Sequence, residues 1–384
     1  MTSGRHRILY VQYTNPAAYP PLEHSAHLLA RDGWRVLMLG IEVAGVETLR
    51  LAQHPQLVER RLGVSPQGWC GHLHYLGFCL WVVGWTWWWR PTWLYASDAL
   101  ACLPALLARS LPGLRILYHE HDAPATAPRS AGQRLVAWAR RRAIRRADLC
   151  VAPNAQRLAR LTEETGRRQG LFGVWNCPAR EEAAAPRAPD PRSGLRVLYY
   201  GSVTPARLPL AVLHALAQLP DAVHLHVLGY ETSGHHGYMR QLLDTAARLG
   251  IAHRITCTGA SRRAALLEHA RQCDVGFAAL PLRPADANLQ DMVGASNKSF
   301  EYLACQLPLL VSDLPGWRTL FVEPGYGLAC DPESPDSVAR ALRWCLDHPA
   351  ETRAMGERGR QRILDEWHYE RQFAPVLARL AAVP

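Results

Sequence analysis

The sequence predicts an α/β protein with two doubly wound parallel-sheet domains in tandem, and three observations lead there. Short, continuous apolar runs alternate with longer segments of helical period. Over 178–194 the alternation is broken by a stretch rich in Pro, Ala and charge. At residue 195 it restarts. Continuous apolar strands separated by helices mean a parallel sheet covered on both faces. The break reads as an interdomain linker. At 384 residues the chain has room for two domains of roughly 100–200 residues each.

In the first half the spacing predicts strands at RILYVQY (7–13), WRVLMLG (34–40), TWLYASD (92–98), RILYHEHDA (115–123) and DLCVAPN (148–154). Helices are expected at 21–33, from Ala99 to Leu111 and over 130–147. In the second half strands are expected at 195–201, 222–230, 254–260, 274–280 and 307–313. Helices fall at 209–220, 237–251, 262–273, 298–306 and 337–348, and two more finish the chain from about Pro349. In open parallel sheets ligands bind outside the carboxyl ends of the strands, so the loops after strands are where chemistry belongs.

Hydrophobic content of 48% and charged content of 20% support real cores. The formal net charge of +10 favours anionic partners, namely phosphorylated small molecules, acidic lipid or nucleic acid. The ten cysteines form no C-x-x-C pair and read as reduced core residues of a cytoplasmic protein. No apolar h-region marks the first residues, so no signal peptide is expected.

One segment, residues 72–93, is apolar and rich in Trp. Its strongest part, Leu76 to Trp89, is shorter than the ~20 residues of a membrane span. Three readings stay open: a helix packed inside the domain, a surface helix with its aromatic rings at a lipid interface, or, least favoured by the length, a true span. A basic helix follows with Arg134, Arg140, Arg141, Arg142, Arg145 and Arg146. It reads either as a solvated face or as a dock for anionic headgroups or a phosphorylated acceptor. Nucleic acid is not expected, because no recognised motif or aromatic platform accompanies the charge.

The stretch GASNKSFEYLACQLPLLVSD (294–313) holds Lys298, the one lysine among 43 Lys+Arg residues. Ser296 is a natural N-cap, so the helix start offers backbone N–H groups and a positive dipole end suited to a diphosphate. Lys298 adds a point charge. Glu301 could accept from two neighbouring hydroxyls such as those of a ribose; otherwise Lys298 and Glu301 form a local i,i+3 pair. In YYGSVTPARLPL (199–210) a strand ends at Gly201, which lets backbone approach a phosphate, and Arg207 follows. In YHEHDAP (118–124) four titratable residues succeed one another, and strand alternation puts His119 and His121 on one side, Glu120 and Asp122 on the other. Such clustering invites acid–base roles or a metal site. The loop TNPAAYPPLEHSA (14–26) offers Tyr19, Glu23 and His24.

The segment SNKSFEYLACQLPLLVSDLPGW resembles the donor-binding segment of retaining, nucleotide-sugar-dependent glycosyltransferases of sequence family 4 (group 1). Asn297, Lys298, Glu301, Tyr302, Ala304 and Pro308 match its pattern, and the resemblance covers nearly the whole chain, most weakly 41–90. It implies the GT-B fold, with two Rossmann-like domains facing across a cleft. The N-terminal acceptor domain would span 1–180, the donor domain 190–366, and the C-terminal helix, about 367–384, would cross back. Donor binding would fall to Gly201, Arg207, Ser296, Asn297, Lys298 and Glu301. His121 and Asp122 would act at the sugar. Tyr19, Glu23 and Asp291 would touch acceptor or sugar. Neither metal nor cofactor is implied, since the nucleoside-diphosphate-sugar is a substrate. The acceptor would be a glycan or a lipid-linked molecule; the basic and Trp-rich helices by their own residues offer a peripheral contact with anionic membrane at its inner face. The chain departs from the family at Val293, where an earlier Glu commonly contacts the donor sugar; Asp291, Asn288 or N–H groups near Gly294 could substitute. The alternatives are a nucleotide-sugar epimerase and a non-catalytic nucleotide-sugar or glycan-binding module.

Overall fold

The computed structural model describes residues 6–123, 128, 130–183, 186, 194–232, 234–283 and 287–382. Much of the expected 178–194 linker and Pro124 of the YHEHDAP run lie outside the described residues. The strands are β1 Arg7–Val11, β2 Arg35–Ile41, β3 Leu57–Leu62, β4 Trp93–Ser97, β5 Arg115–His119, β6 Leu149–Ala152, β7 Leu171–Gly173, β8 Leu195–Val203, β9 Val223–Glu231, β10 Ile255–Thr258, β11 Val275–Ala278, β12 Leu309–Ser312 and β13 Gly327–Cys330. The helices are α1 Pro20–Arg31, α2 Trp69–Trp89, α3 Cys102–Ala108, α4 Ala131–Arg146, α5 Ala155–Thr165, α6 Ala211–Ala217, α7 Tyr238–Arg248, α8 Arg263–Arg271, α9 Ala287–Gln290, α10 Asn297–Ala304, α11 Pro315–Trp317, α12 Pro335–Asp347, α13 Pro349–Asp365 and α14 Tyr369–Ala381.

The chain divides into two compact units. One is Met1–Asn176 with Tyr369–Pro384, the other Cys177–His368. The first holds a seven-stranded sheet, order β3-β2-β1-β4-β5-β6-β7; the second a six-stranded sheet, order β10-β9-β8-β11-β12-β13. Every strand pairing is parallel, so both units are doubly wound, Rossmann-like sheets. The order reverses beside β1 in one sheet and beside β8 in the other, and such switch points are where ligands bind.

In the first unit, one sheet face (Leu9, Leu39, Leu94, Ile116) is covered by α2, α3 and α4 through Phe78, Val82, Cys102, Ala139 and Ile144. The opposite face (Ile8, Tyr10, Met38, Leu117) is covered by α1 and by Phe373, Val376 and Leu380 of α14. The second unit buries Val197, Leu225 and Phe277 under α6, α7 and α12. All ten cysteines are free thiols and eight are buried.

The sequence pattern finds neither β3, β7 nor β13. All three are edge strands. β3 reads LVERRL with alternating exposure, β7 is only 3 residues long, and the two middle residues of β13 are half-buried, so none has the continuously buried apolar run of a central strand.

Candidate functional site

In the second unit the chemistry gathers at the carboxyl end of β8. Gly201 has φ +99°, and a Cβ there would sit 2.9 Å from Lys298 Cε, so both conformation and crowding demand glycine. α10 is held against the sheet by Tyr302: its hydroxyl accepts from the Tyr200 amide (3.1 Å) and donates to the Phe277 carbonyl (3.4 Å), and its ring packs on Gly276. This fixes Lys298 beside β8. Its Nζ donates to the Tyr199 hydroxyl (3.1 Å) and lies 4.5 Å from the centre of that ring. Burial first, and then the neighbouring Arg207 guanidinium, push the Lys298 ammonium well below its usual range. Gly201 and Arg207 are thus neighbours of Lys298, and among the described residues Lys298 has no acidic partner.

The local Lys298–Glu301 pair does not form. Glu301 turns instead to Arg263, whose Nη1 donates to Glu301 Oε1 at 2.5 Å, while Arg263 also grips Glu182. Oε2 of Glu301 is buried with no hydrogen-bond partner. Burial, then the Glu182 carboxylate, push the Glu301 carboxyl well above the usual range, against the pull of Arg263. Ser296 occupies the N-cap of α10, but its hydroxyl makes no capping bond, a correction to the expected cap. Asn297 Oδ1 and Ser299 Oγ are also buried without partners. The start of α10 therefore offers unspent polar groups for a ligand. Asp291 follows α9 in the turn toward α10, and Val293 packs against Gly316, where an added Cβ would lie 2.8 Å from Val293 Cγ2.

In the first unit the second cluster stands at the ends of β4 and β5. His119 and His121 do share one side, with ring centroids 3.9 Å apart. His119 bonds through Nδ1 to the Tyr95 hydroxyl. His121 is buried with both ring nitrogens unpartnered, and the Tyr19 ring lies 5.7 Å away. Burial, then Arg157, push the His121 imidazole down to about 3, so it is neutral at physiological pH. Its backbone is clamped: the amide donates to Asp98 Oδ1 (2.7 Å), and the carbonyl accepts from Arg157. Asp122 is exposed; its amide also donates to Asp98 (3.2 Å), and its carboxylate lies 3.6 Å from Arg157.

Asp98 and Arg157, which hold the His121 backbone, are neighbours that sequence reasoning missed. Asp98 sits just after β4 with φ +62°. Burial, then the Asp122 carboxylate, push it up to about 7. Its only sequence signal is a polar residue closing an apolar strand, WLYASD.

Arg140 changes its expected place, and Glu23 takes a partner in the first unit. Glu120 and Arg140 form a buried ion pair, with Nη2 donating to Oε1 at 2.9 Å, and the Tyr118 hydroxyl also donates to Glu120 (2.6 Å). Arg140 therefore leaves the solvated or docking face assigned to the basic helix, because a carboxylate beneath the helix captures it. Glu23 accepts from the Ala52 amide (2.8 Å) and so ties down the 50s loop. Among the described residues the one His/Cys/Asp/Glu group with metal-ligand spacing is His226, His269 and Cys273, with ligand atoms within 4.8 Å of one another, and not the His119–Asp122 run.

Residues 20–172 match the family model of the glycosyl transferase 4-like domain, and residues 211–378 that of glycosyl transferase-like proteins. A D-inositol 3-phosphate glycosyltransferase of Kineococcus radiotolerans is 27% identical over 186 residues, 43% of this chain and 39% of the relative's length. Among solved structures, a sucrose-phosphate synthase from Thermosynechococcus elongatus superposes with a TM-score of 0.71 at 16% identity, over 99% of this chain and 100% of that one. HepE of Anabaena, in complex with UDP and glucose, gives 0.74 at 18% identity, over 98% and 100%. WaaG, a glycosyltransferase of lipopolysaccharide biosynthesis, gives 0.67 at 13% identity, over 98% and 99%. With two family models on the two sheets, and with this shared architecture, the chain belongs to the GT-B glycosyltransferases of the group 1 family.

Proposed function

We propose that this protein transfers a hexosyl group from a nucleoside-diphosphate-sugar to a glycan or lipid-linked acceptor, with retention of anomeric configuration and without a metal or cofactor. The observation that carries this reading is the Lys298–Arg207 pair: two neighbouring cations, one buried, with no acidic partner for Lys298 among the described residues. Two like charges close together in a desolvated place favour a multiply charged anion, and a diphosphate fits. The orphaned Glu301 Oε2 is an acceptor for a ribose hydroxyl.

In this mechanism the bond from the anomeric carbon to the diphosphate breaks, and the electron pair leaves on the phosphate oxygen. Lys298, Arg207 and the α10 amides stabilise that charge. The acceptor oxygen bonds to the anomeric carbon on the same face, and its proton passes to the departing phosphate oxygen. His121 is neutral, so its part is hydrogen bonding at the sugar rather than proton donation. Asp122 supplies negative charge to the oxocarbenium-like centre. A lipid-linked acceptor would be met at a membrane surface, consistent with a peripheral location.

The test is a panel of nucleotide-sugars, beginning with UDP-glucose because the HepE structures hold it, assayed by calorimetry and by transfer of labelled sugar to added acceptors. Transfer with the α-linkage retained supports the reading; an epimerised free donor or inverted product overturns it. The second reading, a binding module, draws on Val293, whose side chain packs on Gly316 where the family's Glu would contact the sugar. Tight binding without transfer to any acceptor would favour it.

A further inference from the structure

Helix α2 is apolar on every side. Its inner face buries Phe78, Val82 and Thr86, yet Trp69, Leu73, Leu76, Leu80 and Trp87 form a second stripe at i, i+4, i+7, i+11 and i+18 that faces outward. Trp69 and Trp88 are 71% and 73% exposed and Leu80 63%. A soluble helix places charged residues there; this one has no Asp, Glu, Lys or Arg along its 21 residues.

The patch continues. α3 lies against both α2 and α4, and the His72 ring of α2 packs beside Gly132 of α4. The three helices bury their inner sides in one core on one sheet face, so their outer sides look the same way. Leu107 of α3, and Leu135 and Trp138 of α4, are exposed there. Ten of the thirteen exposed large apolar side chains among the described residues lie on α2, α3, α4 or the turn Ala99–Ala101. Monomeric surfaces rarely gather apolar area in this way without an occupant.

Charge identifies the occupant. None of the three helices contains Asp or Glu. Arg134, Arg141 and Arg145 flank Trp138 on one side of α4, with Arg142 beside them, all exposed. A second copy of this chain would set arginine against arginine with no acid between, so self-association is disfavoured. No helix among the described residues is long and apolar enough to cross a membrane. Exposed Leu and Trp ringed by Arg suit a helix lying in the headgroup region of an anionic bilayer, with rings and methyls at the acyl boundary and guanidinium groups on phosphates.

We propose that the outer face of α2–α3–α4 docks this protein peripherally on an anionic lipid bilayer. It deepens the lipid-linked acceptor of the reading above and rests on that reading only for its purpose. Co-sedimentation of the full chain would be compared on phosphatidylcholine vesicles and on the same vesicles doped with phosphatidylglycerol. Affinity should be at least about tenfold higher on the doped vesicles, and added salt should weaken it. The triple variants Leu73→Gln/Leu76→Gln/Leu80→Gln and Arg141→Ala/Arg142→Ala/Arg145→Ala should each lower it about tenfold or more while nucleoside-diphosphate affinity stays unchanged. The arginine set, exposed and, among the described residues, with only the Arg145 bond to the Thr165 carbonyl (3.2 Å) to lose, carries the test if the leucine set fails to fold. Equal binding to both vesicles, no binding, variants that bind like wild type, or a dimer abolished by the leucine substitutions would overturn the proposal. Vesicle binding without nucleoside-diphosphate binding would sink the transfer reading and leave this one standing.

Discussion

Lys298 donates to the Tyr199 hydroxyl at 3.1 Å, with its ammonium 4.5 Å from the centre of the Tyr199 ring and its chain filling the space a side chain at Gly201 would take. An aromatic face and a phenol are weak counterparts for a buried cation. The arrangement therefore stores unsatisfied positive charge, which a diphosphate would neutralise.

Lys298→Ala should lower nucleoside-diphosphate affinity by roughly 10- to 100-fold, the loss of one charge-assisted hydrogen bond of about 1.5–3 kcal/mol. The exposed control Arg353→Ala should leave it unchanged. Equal affinities by calorimetry would remove Lys298 from the phosphate site. Burial and Arg207 hold Lys298 well below its usual range, so binding an anion should raise its pKa.

Glu301→Gln should blunt discrimination between a nucleoside diphosphate and its 2′,3′-dideoxy counterpart. In wild type the unpaired Oε2 would accept a ribose hydroxyl, so removing the hydroxyls should cost the wild type more than the variant. Equal discrimination in the two proteins would leave Glu301 a purely structural partner of Arg263.

His121→Ala should cut turnover by about a hundredfold while leaving diphosphate affinity nearly intact. The imidazole is held down to about 3, so activity should show no step in the ordinary histidine range that His121→Ala abolishes. Unchanged turnover would take His121 off the site.

Asp98 sits up at about 7, well above an unfolded carboxylate. The folded state binds its proton more tightly, so its contribution to stability is present below the ordinary carboxylate pKa. That contribution is lost as pH rises toward about 7. The slope is at most about 1.4 kcal/mol per pH unit. Asp98→Asn keeps the acceptor for the His121 and Asp122 amides and should flatten this slope in urea denaturation; an unchanged slope would mean that Asp98 is already ionised.

Arg140→Leu should destabilise the fold by about 3–5 kcal/mol, because it strands the buried Glu120 carboxylate. Arg142→Leu on the exposed side should change stability by no more than about 0.5 kcal/mol. Matching denaturation midpoints for the two variants would contradict the ion pair.

The sequence by itself determined much of this protein. Central strands buried on both faces must be continuously apolar, so β1, β2, β4, β5, β6 and the central strands of the second sheet were legible as runs. The Gly201, Arg207 and Lys298 set was legible because glycine at a strand end and a lone lysine at a helix start each have a local physical reason. The edge strands were not legible, since one-sided burial leaves little pattern. Nor was the partner of any charge. Whether Lys298 met Glu301 or Tyr199, whether Arg140 faced water or Glu120, and whether Asp98 clamped the His121 backbone all depend on residues 20 to 100 positions away. Only the packed sheet decides those neighbours. The same holds for α2: its composition could not tell a buried helix from a surface one, because that choice depends on which of its two apolar stripes the sheet covers.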